Sequence, residues 1–282
     1  MQRKIMLNNG ISIPPIGYGV FRITDQKECE DAVLNALSIG YRFIDTAAGY
    51  GNERAVGKAI HKSGIPRDEL FISTKLWVTD TSYERAKKGF QDSMEKLGLE
   101  YIDMYVIHQP YNDYYGAWKA LEELYESGRI KAIGVDNFTQ DRLADFMFWN
   151  KLKPIVNFLE CNPFFQRNDE QAYLNKHNIQ MLAWSPLSAG QHDIFRNEEL
   201  AKLAKKHNKS VAQIALRWLV QRNIIPIVKS VNPDRMKENL DIFNFSLTNE
   251  EMEYISKLDT GRSCFPTRNT GAAVEDFLNQ AI

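Results

Sequence analysis

Residues 83–138 hold four segments whose order decides the fold. YERAKKGFQDSMEKLG (83–98) is amphipathic at helical spacing and ends on glycine, and YIDMYVIH (101–108) follows as a short, bulky, nearly continuous apolar run. AWKALEELYESG (117–128) and KAIGVDNF (131–138) repeat the pair. Strands without polar alternation, separated by helices, belong to a parallel sheet covered on both faces, because each parallel connection must cross back over the sheet.

The same rhythm extends in both directions. Upstream, DQKECEDAVLNALSIG (25–40) leads to YRFIDT (41–46), and ERAVGKAIHKSG (53–64) to FISTKLW (71–77). Downstream, TQDRLADFMFWN (139–150) precedes PIVNFLECN (154–162), DEQAYLNKHN (169–178) precedes IQMLAWSPL (179–187), and SVAQIALRWLVQR (210–222) precedes IIPIVKSV (224–231). DRMKENL (234–240) then leads to DIFNF (241–245), a weak eighth strand, and EEMEYISKLD (250–259) is a further helix. At the start, KIML (4–7), the turn Asn8-Asn9-Gly10 and ISIPPIGYG (11–19) read as a β-hairpin, for which Asn-Gly is a strong signal. Eight strands alternating with helices in a chain of this length predict a (β/α)8 TIM barrel with an N-terminal β-hairpin, one domain over residues 1–282. A doubly wound dinucleotide fold would bring a G-x-G-x-x-G after its first strand, and the chain has none.

Composition narrows the function classes. The 35 basic and 36 acidic side chains leave a net charge of −1, without a basic stripe, so no nucleic-acid partner is expected. Cys29, Cys161 and Cys264 are far apart and show no metal spacing, which fits a reducing cytoplasm. The N-terminal MQRKIMLNNG lacks a signal-peptide core and no apolar run reaches membrane-spanning length, so a cytoplasmic protein without membrane partners is expected.

In such barrels the active site lies at the C-terminal ends of the strands. Asp45 leaves YRFIDT with Tyr50 in the following loop, FISTKLW delivers Lys75, and YIDMYVIH delivers His108. Singly, each has an ordinary structural explanation. Together they place four titratable types on one rim, where a buried lysine needs a partner. The expected arrangement has Asp45 fixing Lys75 in its charged form and Lys75 lowering the pKa of the Tyr50 phenol, which starts about three units too high for a good acid near neutrality. His108 would orient a substrate oxygen by hydrogen bonding. The result would be a general acid beside a carbonyl-sized site. A second cluster lies in KSVNPDRMKENL (229–240), where Asn232-Pro233 starts a helix flanked by Lys229 and Arg235. Cations at a helix start near the last barrel loops suit a phosphate group.

The segments GYRFIDTAAGYGNE (40–53), KLW (75–77), DMYVIHQP (103–110), IGVDNF (133–138) and KSVNPDRMKENL together resemble the aldo-keto reductases, in order and over almost the whole chain. The compact loops resemble the short-loop prokaryotic members, such as diketogluconate and methylglyoxal reductases. The resemblance implies NADPH-dependent reduction of aldehydes or ketones by a monomer, with NADH as a secondary donor. It maps the catalytic tetrad onto Asp45, Tyr50, Lys75 and His108, with Tyr50 as proton donor. It assigns Lys229, Ser230 and Arg235 to the adenosine 2′-phosphate, and Glu238 and Asn239 to the adenine. Trp184 falls at the position that stacks on the nicotinamide, and Ser185, Pro186, Leu187 and Ser188 at the pyrophosphate loop. Asp136, Asn137 and Phe158 occupy the nicotinamide carboxamide positions, and Phe21, Trp77, Gln109 and Tyr111 the substrate walls.

Three residues depart from the family pattern: Asp136 replaces a serine, Phe158 a glutamine and Gln109 a tryptophan. An ionised Asp136 could accept but not donate hydrogen bonds, and its charge would favour the oxidised nicotinamide. The same departures support an alternative, an NADP(H)-binding regulatory or sensor protein with little turnover. A Schiff-base enzyme using Lys75 is disfavoured, since Asp45 is expected to keep that lysine charged.

Overall fold

The computed structural model describes residues 4–281, so residues 1–3 of the N-terminal stretch and Ile282 at the end of the tail lie outside it. Its strands are β1 (Ile5–Met6), β2 (Ser12–Ile13), β3 (Gly17–Gly19), β4 (Phe43–Asp45), β5 (Phe71–Leu76), β6 (Met104–Ile107), β7 (Ile133–Asp136), β8 (Val156–Glu160), β9 (Gln180–Trp184) and β10 (Ile225–Val228). Strands β3 to β10 close into a parallel barrel in the order β10-β3-β4-β5-β6-β7-β8-β9. Strands β1 and β2 form a separate antiparallel pair, with Ile5 opposite Ile13 and Met6 opposite Ser12. The turn of that hairpin is tied to the N-terminal ends of the barrel strands. Asn9 Nδ2 donates to Lys131 O at 2.9 Å, two residues before β7, and Asn8 Nδ2 to Asn178 O at 2.8 Å, two residues before β9. The hairpin therefore covers the end of the barrel opposite the strand C-termini.

One barrel strand is not the expected one. DIFNF forms no strand; Ile242 is buried in an irregular segment whose carbonyl accepts from Arg217 Nη1 at 3.2 Å. The eighth strand is β3, whose residues were expected in the hairpin; the hairpin keeps only Ser12–Ile13 of that segment, and β3 pairs with β10 on one side and β4 on the other. Its Gly-Tyr-Gly sequence has no apolar run to announce a strand, and the glycines are required by the closure. A methyl group at Gly17 would lie 2.6 Å from Ile227 Cδ1 and 2.7 Å from Phe43 Cδ1, and one at Gly19 would lie 2.8 Å from Ile227 Cγ2. Ile227 and Phe43 thus fill the space that a β3 side chain would otherwise take. Tyr18 points to the other face and donates its hydroxyl to Ser230 O at 2.6 Å, joining β3 to the loop after β10.

The helices are α1 (Gln26–Ile39), α2 (Glu53–Ser63), α3 (Tyr83–Leu97), α4 (Tyr114–Glu126), α5 (Gln140–Trp149), α6 (Asn168–Lys176), α7 (Glu198–His207), α8 (Val211–Gln221), α9 (Pro233–Leu240), α10 (Asn249–Ser256) and α11 (Gly271–Ala281). Two were not expected. Helix α7 has the signals of a helix: an Asn197 cap accepting from Leu200 N at 3.0 Å, acids in its first turn and bases in its last. Helix α11 lies in the C-terminal tail, which carried no strong signal. All six residues of β5 are buried, and burying each large apolar side chain in such a strand contributes about 1.5–3 kcal/mol.

Candidate active site

The strand C-termini open into a cavity of about 1320 Å³ whose wall contains Asp45, Tyr50, Lys75 and His108. Asp45 ends β4, and its Oδ1 accepts from Ser73 Oγ at 2.6 Å. Lys75 Nζ donates to Asp45 Oδ2 at 2.6 Å and to Thr46 O at 3.3 Å, and lies 3.5 Å from the Tyr50 hydroxyl. The loop that presents Tyr50 is a single 3-10 turn, Ala48–Tyr50, closed by Gly51 at φ 69°. Its approach is fixed by Trp77, since a methyl group at Gly49 would meet Trp77 Cε3 at 2.7 Å. Asn52 completes the mount: it accepts from Thr46 Oγ1 at 2.8 Å and donates to Val20 O at 3.0 Å and Ile23 O at 3.1 Å. The His108 ring packs edge-on to Tyr50 at 5.5 Å and to Trp77 at 5.1 Å between centroids.

Electrostatics refine the expected roles. Burial works against the Lys75 charge, but Asp45, Tyr50 and Asp136 outweigh it and hold Lys75 above the ordinary lysine range. Tyr50 runs counter to expectation. Burial raises its phenol more than the Lys75 ammonium lowers it, and the net pKa is about 12. The cause is that a phenolate loses more by leaving water than one shared ammonium returns. His108 is held well below its usual value, first by burial and then by the Lys75 and Arg268 charges, so its ring is neutral.

Burial also works against a charge on Asp136. It is 3% exposed, its Oδ2 lies 3.8 Å from His108 Nε2, and its Oδ1 has no hydrogen-bond partner. Burial, with Asp45 adding to it, pushes the carboxyl well above the usual range despite Lys75. A neutral acid can donate a hydrogen bond, as the serine it replaces would. The upward shift works against the charged Asp136 on which a preference for oxidised nicotinamide would rest.

The other residues singled out from sequence divide in two groups. Phe21, Trp77, Gln109, Tyr111, Asn137, Trp184, Ser185, Pro186, Leu187 and Lys229 line the cavity. Trp184 Nε1 donates to Asn137 Oδ1 at 3.2 Å. Phe158, Ser188, Ser230, Arg235, Glu238 and Asn239 are outside its wall. Phe158 is fully buried, with the Lys75 ammonium 4.9 Å from its ring centroid. Arg235 is exposed at the start of α9, where Asn232 Oδ1 caps the amides of Asp234 at 2.9 Å and Arg235 at 3.1 Å. Glu238 takes the Ser210 hydroxyl, and Asn239 is buried.

Two features escaped sequence reasoning. Glu160 ends β8 and is 1% exposed; it accepts from Cys264 N at 2.8 Å and from the Ser263 hydroxyl, clamping the C-terminal segment over the rim. An acid at a strand exit, like Asp45, was the available signal. Beyond the clamp, Arg268 and α11 approach the cavity. Trp77 Nε1 donates to Ala281 O at 3.2 Å, and the Phe277 ring lies 5.9 Å from that of Trp77. Nothing in the tail composition announced this.

A dinucleotide fits these residues. The unpartnered buried atoms His108 Nδ1 and Asp136 Oδ1 offer hydrogen bonds inside, and Lys229 and Arg235 form no ion pairs among the described residues. No group of His, Cys, Asp and Glu among the described residues could hold a metal ion.

Chain and fold are both similar to known proteins. The model described as the aldo/keto reductase family matches residues 15–260. Glyoxal reductase of Bacillus subtilis (strain 168) is 44% identical over 260 residues, covering 92% of this chain and 94% of its own. Among solved structures, an aldo-keto reductase from a Medee basin deep-sea metagenome library superposes with a TM-score of 0.92 at 43% identity, over 95% of this chain and 99% of that one. A Bombyx mori aldo-keto reductase in complex with NADP gives 0.89 at 33% identity, over 94% and 95%.

Proposed function

This chain belongs to the aldo/keto reductase family, and from that premise we propose that it reduces aldehydes or ketones to alcohols with NADPH, using Tyr50 as proton donor. The observation that carries the proposal is the buried Asp45–Lys75 pair at 2.6 Å with the Tyr50 hydroxyl 3.5 Å from the same ammonium, all on one cavity with His108. Bound NADPH supplies a hydride to the carbonyl carbon. Tyr50 donates its hydroxyl proton to the carbonyl oxygen, and the neutral His108 donates a ring N–H to the same oxygen. Lys75, kept charged by Asp45, stabilises the tyrosinate that remains. A Tyr50 pKa of about 12 suits this direction. A nascent alkoxide is about as basic as hydroxide, whose conjugate acid has a pKa of 15.7, so the proton still moves downhill.

In the proposed complex Lys229, Ser230 and Arg235 hold the 2′-phosphate and make NADPH the preferred donor, with NADH secondary. Glu238 and Asn239 flank the adenine, and the segment Trp184–Ser188 carries the nicotinamide and pyrophosphate. Asp136 and Asn137 face the carboxamide, with Asp136 donating as a neutral acid. Phe21, Trp77, Gln109 and Tyr111 contact the substrate. We treat the working unit as a cytoplasmic monomer without nucleic-acid or membrane partners. No helix among the described residues is long and apolar enough to cross a membrane.

The test combines tryptophan fluorescence titration with NADPH and NADH, a carbonyl substrate screen, and Tyr50→Phe. NADPH-selective quenching is expected, with kcat of the variant reduced about 10²–10⁴-fold and NADPH affinity kept within about threefold. Absence of NADPH binding, or full turnover by Tyr50→Phe, would overturn the assignment.

A further inference from the structure

Arg268 stands in the wall of the active-site cavity, between the Glu160 clamp and α11. Its guanidinium is held from two sides. Nη1 donates to Gln109 Oε1 at 2.9 Å, and Cζ lies 3.8 Å from the Phe277 ring centroid. Phe277 is braced in turn by Trp77 and by Tyr111, 5.6 Å away between centroids. Both of the groups that hold the guanidinium are uncharged. Among the described residues no carboxylate lies within ion-pair distance of Arg268.

A guanidinium oriented by a hydrogen bond and a ring, yet lacking a counter-ion, is a preformed anion site. Gln109 follows His108 directly in the chain, so this charge is placed next to the reactive groups; it reaches both His108 and Asp136. Gln109 gives its side-chain carbonyl oxygen to Arg268, and its amide N–H donors take no part in that contact. One planar cation suits a monoanion that accepts two parallel hydrogen bonds. Glu275 in the same wall weighs against a dianion such as a phosphate ester at this arginine.

We propose that Arg268, set by Gln109, recognises a carboxylate on the substrate, so that the preferred substrates are oxo acids or formyl acids rather than neutral carbonyl compounds. This rests on the reductase function proposed above. The arginine is a specificity-determining residue: it contributes to kcat/KM only for substrates that carry the charge.

The experiment compares matched pairs, 4-oxobutanoate with its methyl ester and 4-carboxybenzaldehyde with methyl 4-formylbenzoate, in wild type, Arg268→Gln and Arg268→Lys. At least one acid is expected to exceed its ester more than tenfold in kcat/KM. Arg268→Gln should lower that acid about 10–100-fold while leaving both esters within threefold, and Arg268→Lys should retain part of the preference. The wild-type preference should shrink as salt is raised. Equal use of acid and ester by wild type would overturn the inference, as would equal losses on both in Arg268→Gln. Reduction of the esters without acid preference sinks the inference and leaves the reductase standing; failure on all four with no NADPH binding sinks the reductase itself.

Discussion

Replacing Asp45 by Asn tests the pair on which the site is built. The Asp45 and Lys75 side chains are 5% and 2% exposed and meet at 2.6 Å. Asn has nearly the volume of Asp and can still accept from Ser73, so no cavity forms, and the main change is a buried ammonium without its counter-charge. Breaking such a pair from one side costs about 3–5 kcal/mol. The carbonyl of Thr46, 3.3 Å from Nζ, remains and favours the lower end. At about 2 °C per kcal/mol for a chain of this size, the melting temperature at pH 7 should fall about 6–10 °C. The pH dependence identifies the cause. In the wild type the folded Lys75 pKa is raised, so its contribution is present below the unfolded value of 10.5 and is lost as pH rises through the folded value. In Asp45→Asn, burial dominates and lowers it, so the penalty grows below 10.5 and disappears once both states are neutral. The gap between the proteins should therefore narrow between pH 7 and pH 10. Adding Lys75→Met removes the stranded charge and should recover most of the loss. Calorimetry at both pH values on the wild type and the two variants measures this. A shift under 2 °C at pH 7, a gap independent of pH, or a double variant less stable than Asp45→Asn would refute an electrostatic role for the pair.

Asp136→Asn should reveal that Asp136 is carried as a neutral acid. Its folded pKa is raised above the unfolded 3.8, so wild type loses stability relative to the variant as pH rises from 3.8 towards the folded value. Urea unfolding at pH 5 and pH 7 should show the difference growing with pH, by at most about 1.4 kcal/mol per pH unit, and a constant difference would mean Asp136 is ionised throughout. On α10, burial raises the Glu251 carboxyl, but Lys206, the Thr248 amide and His207 outweigh it and hold it at about 2. Glu251→Gln should cost stability at pH 7, and its deficit should fade as pH drops from 4.5 towards 2; a deficit unchanged at pH 3 counts against this ion pair. Reduction through Tyr50 should be flat with respect to that phenol from pH 6 to 9, since a donor at about 12 keeps its proton there. A Tyr50-dependent fall in kcat within that range, absent from Tyr50→Phe, would show that the phenol titrates lower.

Much of this architecture was legible in local patterns. Seven barrel strands are short apolar runs, nine of the eleven helices among the described residues were expected from their pattern, and Asp45, Lys75 and His108 follow from reading where strands end. That works because a parallel strand covered on both faces leaves its composition in the sequence, and because barrel geometry sends each strand exit to one rim. The eighth strand was illegible for the opposite reason. Gly17 and Gly19 leave room for Ile227 and Phe43, so the strand is defined by its neighbours' side chains, while DIFNF, a weak strand by its pattern, forms no strand. Residue types alone named the reactive groups but not their charges. Tyr50 keeps its proton at neutral pH and the Asp136 carboxyl is pushed upward because of how much water the fold removes, and that is a property of every element packed around them. The Arg268–Gln109 contact joins residues 159 positions apart. No spacing rule spans such a separation; only closure of the barrel and the Glu160 clamp on the tail bring the two side chains to one wall.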